Sequence, residues 1–318
     1  MKLAYTGEND KRTFKEACAA VIPELCDGNK DVVYLDADLM SCIGTYKWGK
    51  GSEKAINCGI AEANMVGVAC GMAAVGMKPI VHSFGTFSSR RCFDQAFLSG
   101  GYAKNAITIL GSDPGVCAAY NGGTHMPFED MALYRAVPEG TVIDISDISM
   151  FEDALRQSVD MPGVKYIRFP RKNCVKLYEE GQKFEIGKGI VLREGTDAVI
   201  IASGIMVSKA LAAADALSAE GISAAVIDMF TVKPIDAELV SEWAKKTGAV
   251  VTCENHNKIG GLTSAVSEVL AASCPTPLEY VAVEDVFGEV GPQDYLEGAF
   301  GLTAEHISEK VKKAISRK

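Results

Sequence analysis

No run of this chain is both long and apolar enough to read as a membrane span. The longest candidate, Gly59–Ala73, is broken by Glu62 and Asn64 and is rich in Gly and Ala. Positive charge is scarce as well. Lys and Arg number 32 against 41 Asp and Glu, a net of −9. A chain without a basic face is not expected to hold nucleic acid. The opening Lys2–Glu8 lacks an apolar core of the signal-peptide kind, so a cytoplasmic protein is expected. None of the ten cysteines forms a C-x-x-C pair, which argues for reduced, mostly buried thiols and against a disulfide framework or a zinc site. G-x-G-x-x-G, the P-loop and G-x-S-x-G are all absent, and no His/Asp/Glu cluster has metal-ligand spacing.

What is present begins with Glu62, the only charged side chain between Lys54 and Lys78. It sits in GIAEANMVGVACGMA, where burial is expected and disfavours the charged form. A carboxyl so placed is a candidate acid or base. An acid in the first turn of a helix, complementing the macrodipole, accounts for it equally well from spacing alone. Gly59, Ala63, Gly67 and Gly71 recur every four residues and share one helix face almost free of side chains. Such a face suits close packing, either within the domain or against a helix of another chain.

The 318 residues suffice for two domains. Apolar strands alternate with helical segments throughout, which predicts α/β architecture: two domains, each a mostly parallel sheet covered by helices on both faces. Strands are expected at Asp31–Asp36, Pro79–Ser83, Ala106–Gly111, Thr141–Asp144 and Val164–Phe169. A helix over Thr13–Leu25 would take Asp10 or Asn9 as cap, and Ser89–Tyr102 reads as one helix. The polar stretch that follows marks the linker, giving domains at residues 1–175 and 190–318 with 176–189 between them. In the second domain, strands are expected at Ala198–Ala202, Ala224–Asp228, Ala249–Cys253 and Leu278–Val283.

Ligands of such sheets gather at the carboxyl ends of strands. Phe84 and Phe87 flank Gly85 in one of these loops and offer a flat apolar surface for a ring, or cap the core beneath a turn. Arg90 and Arg91 read as helix-surface charges. Another loop joins paired glycines to His125, a hydrogen-bond donor, proton relay or structural histidine. Arg168 and Arg171 lie at the last strand of the first domain, where an Arg fork suits phosphate or carboxylate, or an ion pair with an acid. Arg12 is too generic to use unaided.

Together these pieces resemble transketolases. GIAEANMVGVACGMAAVGMKPIVHSFGTF is similar to their pyrimidine-binding segment, and GGTHMPFEDMALYRAVPEG to the substrate loop after it. LDADL and IRFPRKN match in order. So do GKGIVLREGTDAVIIASG, ENHNKIGGLTSAV and FGEVGPQDYLEGAFGLTAEHI in the second domain. The resemblance implies thiamine diphosphate with Mg2+ as cofactors and transfer of a two-carbon ketol unit between sugars or sugar phosphates. It places Glu62 on the acid that binds the pyrimidine, Phe84 and Phe87 on the rings that stack against it, and Asp38 near the thiazolium. His125 falls at the substrate's reacting end, and Arg12 and Arg171 on arginines that hold its phosphate.

Two positions depart from the family pattern: Asn121 where Asp often contacts a donor hydroxyl, and Asp113 where many members have His. A carboxylate there repels a phosphate, which implies an atypical sugar or another route to Arg171. The family's metal and diphosphate motif is not found. Asp27-Gly28, followed by Asn57, lacks its first Gly and leads into a strand rather than a helix. The resemblance therefore implies the carboxy-terminal subunit of a split transketolase, self-associating and joined to a separate amino-terminal subunit as α2β2. The beta subunit of a 2-oxo acid dehydrogenase shares the Glu, the aromatic pair and Asp94-Gln95, but the Thr124–Asp130 loop favours transketolase. A non-catalytic regulatory subunit is the third reading.

Overall fold

The computed structural model describes residues 3–318; Met1 and Lys2, the first two positions of the expected first domain, lie outside them. Twelve strands among these residues form two sheets. In chain order they are β1 Val32–Asp36, β2 Ala55–Asn57, β3 Lys78–Phe84, β4 Ile107–Ser112, β5 Thr141–Asp144, β6 Val164–Phe169, β7 Ile190–Arg193, β8 Ala198–Ala202, β9 Ala224–Asp228, β10 Thr231–Lys233, β11 Val250–Asn257 and β12 Leu278–Val283. The first sheet runs β10-β5-β6-β4-β3-β1-β2 and the second β12-β11-β8-β9-β7. Pairing is parallel except at β10 with β5 and β7 with β9. The expected α/β class with mostly parallel sheets is what the chain adopts.

Consecutive strand residues point to opposite faces, and both faces are apolar. Val32 and Tyr34 of β1 enter one core layer, Val33 and Leu35 the other. Each layer continues into the second sheet, through Ile200 and Val226 on one side and Ile201 and Ile227 on the other.

Local chemistry corrects two expectations. The first helix, Phe14–Gly28, is capped by Thr13, not by Asp10 or Asn9. Thr13 Oγ1 accepts from the Glu16 N–H at 3.2 Å, and Glu16 Oε2 accepts from the Thr13 N–H at 2.7 Å, a reciprocal capping box. The single helix expected over Ser89–Tyr102 is broken into short pieces, Gly85–Ser89, Phe93–Gln95 and a π-helical Ala96–Tyr102. Ser88 and Ser89 hydroxyls both donate to the Gly85 carbonyl, at 3.3 and 2.6 Å, and Tyr134 Oη donates at 2.6 Å to the Ser88 carbonyl, the acceptor that the Cys92 N–H would use in a continuing helix. All ten cysteines are free thiols, as the missing C-x-x-C pairs imply.

The two sheets are stitched together by buried polar groups. Arg168 lies inside β6, wholly buried, with Nε 3.2 Å from Asp130 Oδ2 and Nη2 donating to the Asn255 carbonyl at 2.9 Å. It is thus an internal ion-pair residue and not a ligand-facing fork. Strand β10, although it follows β9 in the chain, crosses to edge the first sheet, pairing Thr231 with Ile143 and Lys233 with Val142.

Asp228, at the end of β9, is fully buried and accepts from Tyr178 Oη at 2.7 Å and Ser146 Oγ at 2.9 Å. Burial pushes its carboxyl up to about 7, against the pull of those two hydrogen bonds and with Asp144 and Asp147 adding to the rise. A carboxyl raised in the folded state adds stability that is present at acid pH and lost as pH climbs through the folded value. Asp228→Asn removes this titration. The stability of wild type relative to the variant should fall by about 2–3 kcal/mol between about pH 5 and pH 8 in denaturant titrations. A pH-independent difference would refute the raised carboxyl.

Candidate active site

Parallel register sets the site. Asp36 of β1 lies opposite His82 of β3, while Phe84, Ser112 and Phe169 are level at the ends of β3, β4 and β6. The segments leaving these ends carry most of the candidate residues.

Glu62 opens the helix Glu62–Ala74, and its preceding residue Ala61 supplies no side-chain cap. Its side chain is 2% exposed, as the sequence implies. Two donors offset the lost hydration. Ser83 Oγ donates to Oε1 at 3.0 Å, and Arg91 Nη1 reaches both carboxylate oxygens at 3.3 and 3.1 Å. Arg91 is thus exposed, as a surface charge would be, yet reaches inward to pair with the buried Glu62. The broken helix turns it back over the Phe87 ring, with its guanidinium carbon 3.8 Å from the centroid. An opening of about 560 Å³ lies at this corner, lined by Ile60, Ala61, Glu62, Ala63, Asn64 and Arg91.

Phe87, Phe84 and His125 form one ring cluster. The His125 centroid lies 5.0 Å from Phe87 and 6.0 Å from Phe84, and the two phenyl rings are 6.3 Å apart. Thr124 Oγ1 contacts His125 Nδ1 at 2.9 Å. Burial lowers the His125 pKa, Arg91 lowers it further, and Asp113 opposes both, so the ring is neutral at neutral pH. Arg171 covers the other side of Phe84, 4.8 Å from its centroid. Its Nε donates to Asp113 Oδ2 at 2.6 Å, and its backbone N–H to Oδ1 at 3.2 Å. Asp113, buried at the end of β4, is thus neutralised by Arg171.

Six of the candidates hence lie on one continuous path: Glu62, Phe87, His125, Phe84, Arg171 and Asp113, with Arg91 as the link that sequence missed. Three do not join it. Asp38 is exposed, adopts a left-handed backbone (φ 66°) and accepts from Asn57 Nδ2 at 2.9 Å. It lines a separate cavity of about 460 Å³ with Met40, Tyr46 and Lys50. Asn121 is exposed at the end of a 3-10 turn. Arg12 pairs with Asp10, Glu152 and Glu180 at 3.4, 3.1 and 3.6 Å, and no recorded contact ties it to the rings.

Beneath the cluster runs a buried network that sequence spacing concealed. Asp36 accepts from Tyr34 Oη at 2.5 Å and from the Leu39 N–H, and its Oδ2 lies 2.8 Å from His82 Nδ1. His82 Nε2 lies 3.0 Å from Ser112 Oγ. The order Ser–His–Asp resembles a nucleophilic triad, but all three are fully buried, out of reach of a substrate. The network instead ties the ends of β1, β3 and β4, next to Asp38, Ser83 and Asp113.

Gly59, expected on the small-residue helix face, precedes the helix with φ 69°; on the helix itself, a Cβ added at Gly67 or Gly71 would meet nothing within 4 Å among the described residues. Ile60, Val68 and Val75 are exposed along it, with Leu98 and Tyr102 also exposed on the neighbouring π-helical segment. Among the described residues no helix is long and apolar enough to cross a membrane.

A buried carboxylate linked through Arg91 to a pair of phenyl rings, at the carboxyl ends of a parallel sheet joined to a second α/β sheet, marks the chain as a two-domain α/β protein. Residues 10–176 match the family model for the transketolase pyrimidine binding domain, and residues 187–307 that for the transketolase C-terminal domain. The chain belongs to the transketolase family. It is 44% identical over 310 residues to SqwH, a 6-deoxy-6-sulfo-D-fructose transketolase subunit from a Clostridium species, covering 97% of this chain and 96% of that one. A putative transketolase C-terminal section from Methanocaldococcus jannaschii is 36% identical, covering 91% and 92%. Among solved structures, a split gene transketolase described as an inactive beta4 tetramer superposes with TM-score 0.87 at 39% identity, covering 96% and 98%.

Replacing His82 by Leu would leave Asp36 and Ser112 each short of a partner in a dry interior. His82→Leu should lower the unfolding free energy by about 2–5 kcal/mol. Urea titration measures this, and a loss below about 0.5 kcal/mol would show that the network carries little.

Proposed function

We propose that this chain is the carboxy-terminal subunit of a thiamine diphosphate-dependent transketolase, active with a separate amino-terminal subunit in an α2β2 assembly. In this reading residues 1–175 form the pyrimidine-binding domain, 176–189 the linker and 190–318 the C-terminal domain. The observation that carries the reading is Glu62, buried and continuous with the Phe84, Phe87 and His125 rings. These residues fit the pyrimidine half of the cofactor. A carboxylate is available to a ring nitrogen, the phenyl rings supply a stacking surface, and an opening lined by Glu62 and Arg91 adjoins the carboxylate. Bound there, thiamine diphosphate supplies the nucleophilic carbon and electron sink for two-carbon transfer. Mg2+ and the diphosphate are assigned to the partner subunit.

The chain's own residues then divide the work. Glu62 fixes the heterocycle's protonation state by accepting a hydrogen bond. Ser83 and Arg91 hold the carboxylate in place. Neutral His125 donates to or accepts from the substrate at its reacting end, with Asn121 beyond it. Asp38 lies towards the thiazolium side. Arg171 grips the distal anion, with Arg12 as a more remote cation. Because Asp113 already engages two Arg171 nitrogens, the guanidinium offers a distal anion fewer free donors than an unpaired one. That favours a ketose with an unusual anionic terminus. The sulfosugar named for the Clostridium relative suggests a sulfonate, whose single charge is repelled less by Asp113 than a phosphate dianion. The exposed Gly67 face, and the tetramer described for the solved relative, support self-association and docking of the second subunit at this helix. The free thiols accord with a cytoplasmic setting.

In the reconstituted complex, Glu62→Ala should cut kcat by about 100–1,000-fold while sedimentation shows the assembly intact. Unchanged turnover would point to a regulatory subunit instead. Ketose selectivity is read by comparing xylulose 5-phosphate and a 6-sulfo ketose as donors, with ribose 5-phosphate as acceptor. Asp113→His should raise kcat/KM for the phosphate donor by about 10-fold or more. Wild-type turnover of the phosphate sugars already at full transketolase rates would overturn the sulfonate preference.

A further inference from the structure

Residues 113–128 carry Asp113, Asn121 and His125, yet the segment is poorly equipped to hold its own shape. Asp113 (φ 58°), Gly115 (φ 50°), Ala119 (φ 47°) and Gly122 (φ 78°) all adopt positive φ. Two of these bear side chains, and Ala119 combines its φ with ψ −120°. For the two residues with side chains such conformations are disfavoured and persist only where surroundings over-determine them.

The surroundings are the second sheet. Asn255, buried in β11, uses its side-chain amide as a strand would use its backbone. Its Oδ1 accepts from the Val116 N–H at 3.0 Å and its Nδ2 donates to the Pro114 carbonyl at 2.9 Å. A Cβ at Gly115 would lie 2.1 Å from that Oδ1, so this grip requires glycine. Further along, Asn257 N–H donates to the Phe128 carbonyl at 2.9 Å, and Phe128 packs edge-on to Phe300 at 5.5 Å. The loop after β12 then closes over the turn itself. A Cβ at Gly123 would lie 2.2 Å from the Gly288 carbonyl oxygen, and one at Gly122 2.7 Å from Val290 Cγ2. The two backbones are in direct apposition two residues before His125.

We infer that the second sheet is the template for the substrate loop, with Asn255 and Gly288 as positioning residues that hold His125 against Phe84 and Phe87. This gives the C-terminal domain a defined part in the reaction: it sets where the loop presents its histidine. The inference rests on the reading of His125 as substrate-facing. The placement itself can be tested without substrate.

The test uses two variants of the full chain. Gly288→Ala sits in an exposed loop, and its new methyl would lie 2.6 Å from Sδ of the buried Met126 and 3.1 Å from Gly123 Cα, pressing on the turn and on the core residue beneath it. Asn255→Ala removes the amide grip. Proton–carbon NMR of ring-labelled histidine reports His125 through the ring currents of Phe84 and Phe87, with His82 and His306 as internal controls. In both variants the His125 resonance should move towards its free-histidine position while the two controls stay fixed. In the reconstituted complex kcat/KM for the donor ketose should fall on the order of 10–100-fold. A His125 resonance unmoved in Gly288→Ala overturns the inference, whatever happens to activity. Should Asn255→Ala fail to fold, Gly288→Ala alone decides. If the wild-type complex turns over no ketose, the functional reading fails, and the NMR result still decides whether the second sheet places His125.

Discussion

Parallel register is the constraint from which the site follows. Strands that run the same way end on the same side, and here Phe84, Ser112 and Phe169 end level with one another. The residue that follows each terminus therefore emerges into a shared space. That is why Asp113 and Arg171, 58 positions apart, meet as an ion pair. It also explains why Phe84 lies between Arg171 and His125. The buried link from Asp36 through His82 to Ser112 pins this alignment, because a slip of one strand would break hydrogen bonds in a place without water to replace them.

Charge is managed locally around the cluster. Glu62 and Asp113 are both buried carboxylates, and each is held by an arginine that also lies over a phenyl ring, Arg91 on Phe87 and Arg171 on Phe84. The arrangement gives two like anions a low-dielectric setting without an uncompensated charge. Neutral His125 stands between the two pairs, a polar group whose uncharged form suits the pull of burial.

Much of this was legible in the sequence where a residue's role follows from its own neighbourhood. The largely apolar runs Val164–Phe169, Ala198–Ala202, Ala224–Asp228 and Leu278–Val283 are strands with the bounds they suggest, since burial on both faces leaves little choice of conformation. Glu62, Phe84, Phe87 and His125 stood out by type at strand ends or a helix start. What stayed hidden depends on contacts made at a distance. The short strands β2 and β10 lack apolar runs, β7 has only Ile190–Leu192, and all three lie at a sheet edge where a neighbour's edge is available. Arg91 is exposed, and its reach to the buried Glu62 depends on how the chain turns after the short helix Gly85–Ser89. Thr13 displaced the expected caps because Glu16 reciprocates its hydrogen bond. Nothing near Asn255 hints that its amide would bond to residues some 140 positions earlier.

Strand β10 has a practical corollary. It leaves the second sheet's sequence to complete the first sheet's edge, and the Asp144 N–H is bonded to the Phe230 carbonyl just ahead of it. Scissors placed in the polar stretch before residue 190 would therefore strip β5 of its neighbour and leave a raw ladder open to any passing strand. A protein engineer seeking to express the front half by itself would do better to carry a grafted copy of residues 230–233 along, or to blunt β5 with charge. The two halves are less like beads on a string than like a drawer and its cabinet, sharing one runner.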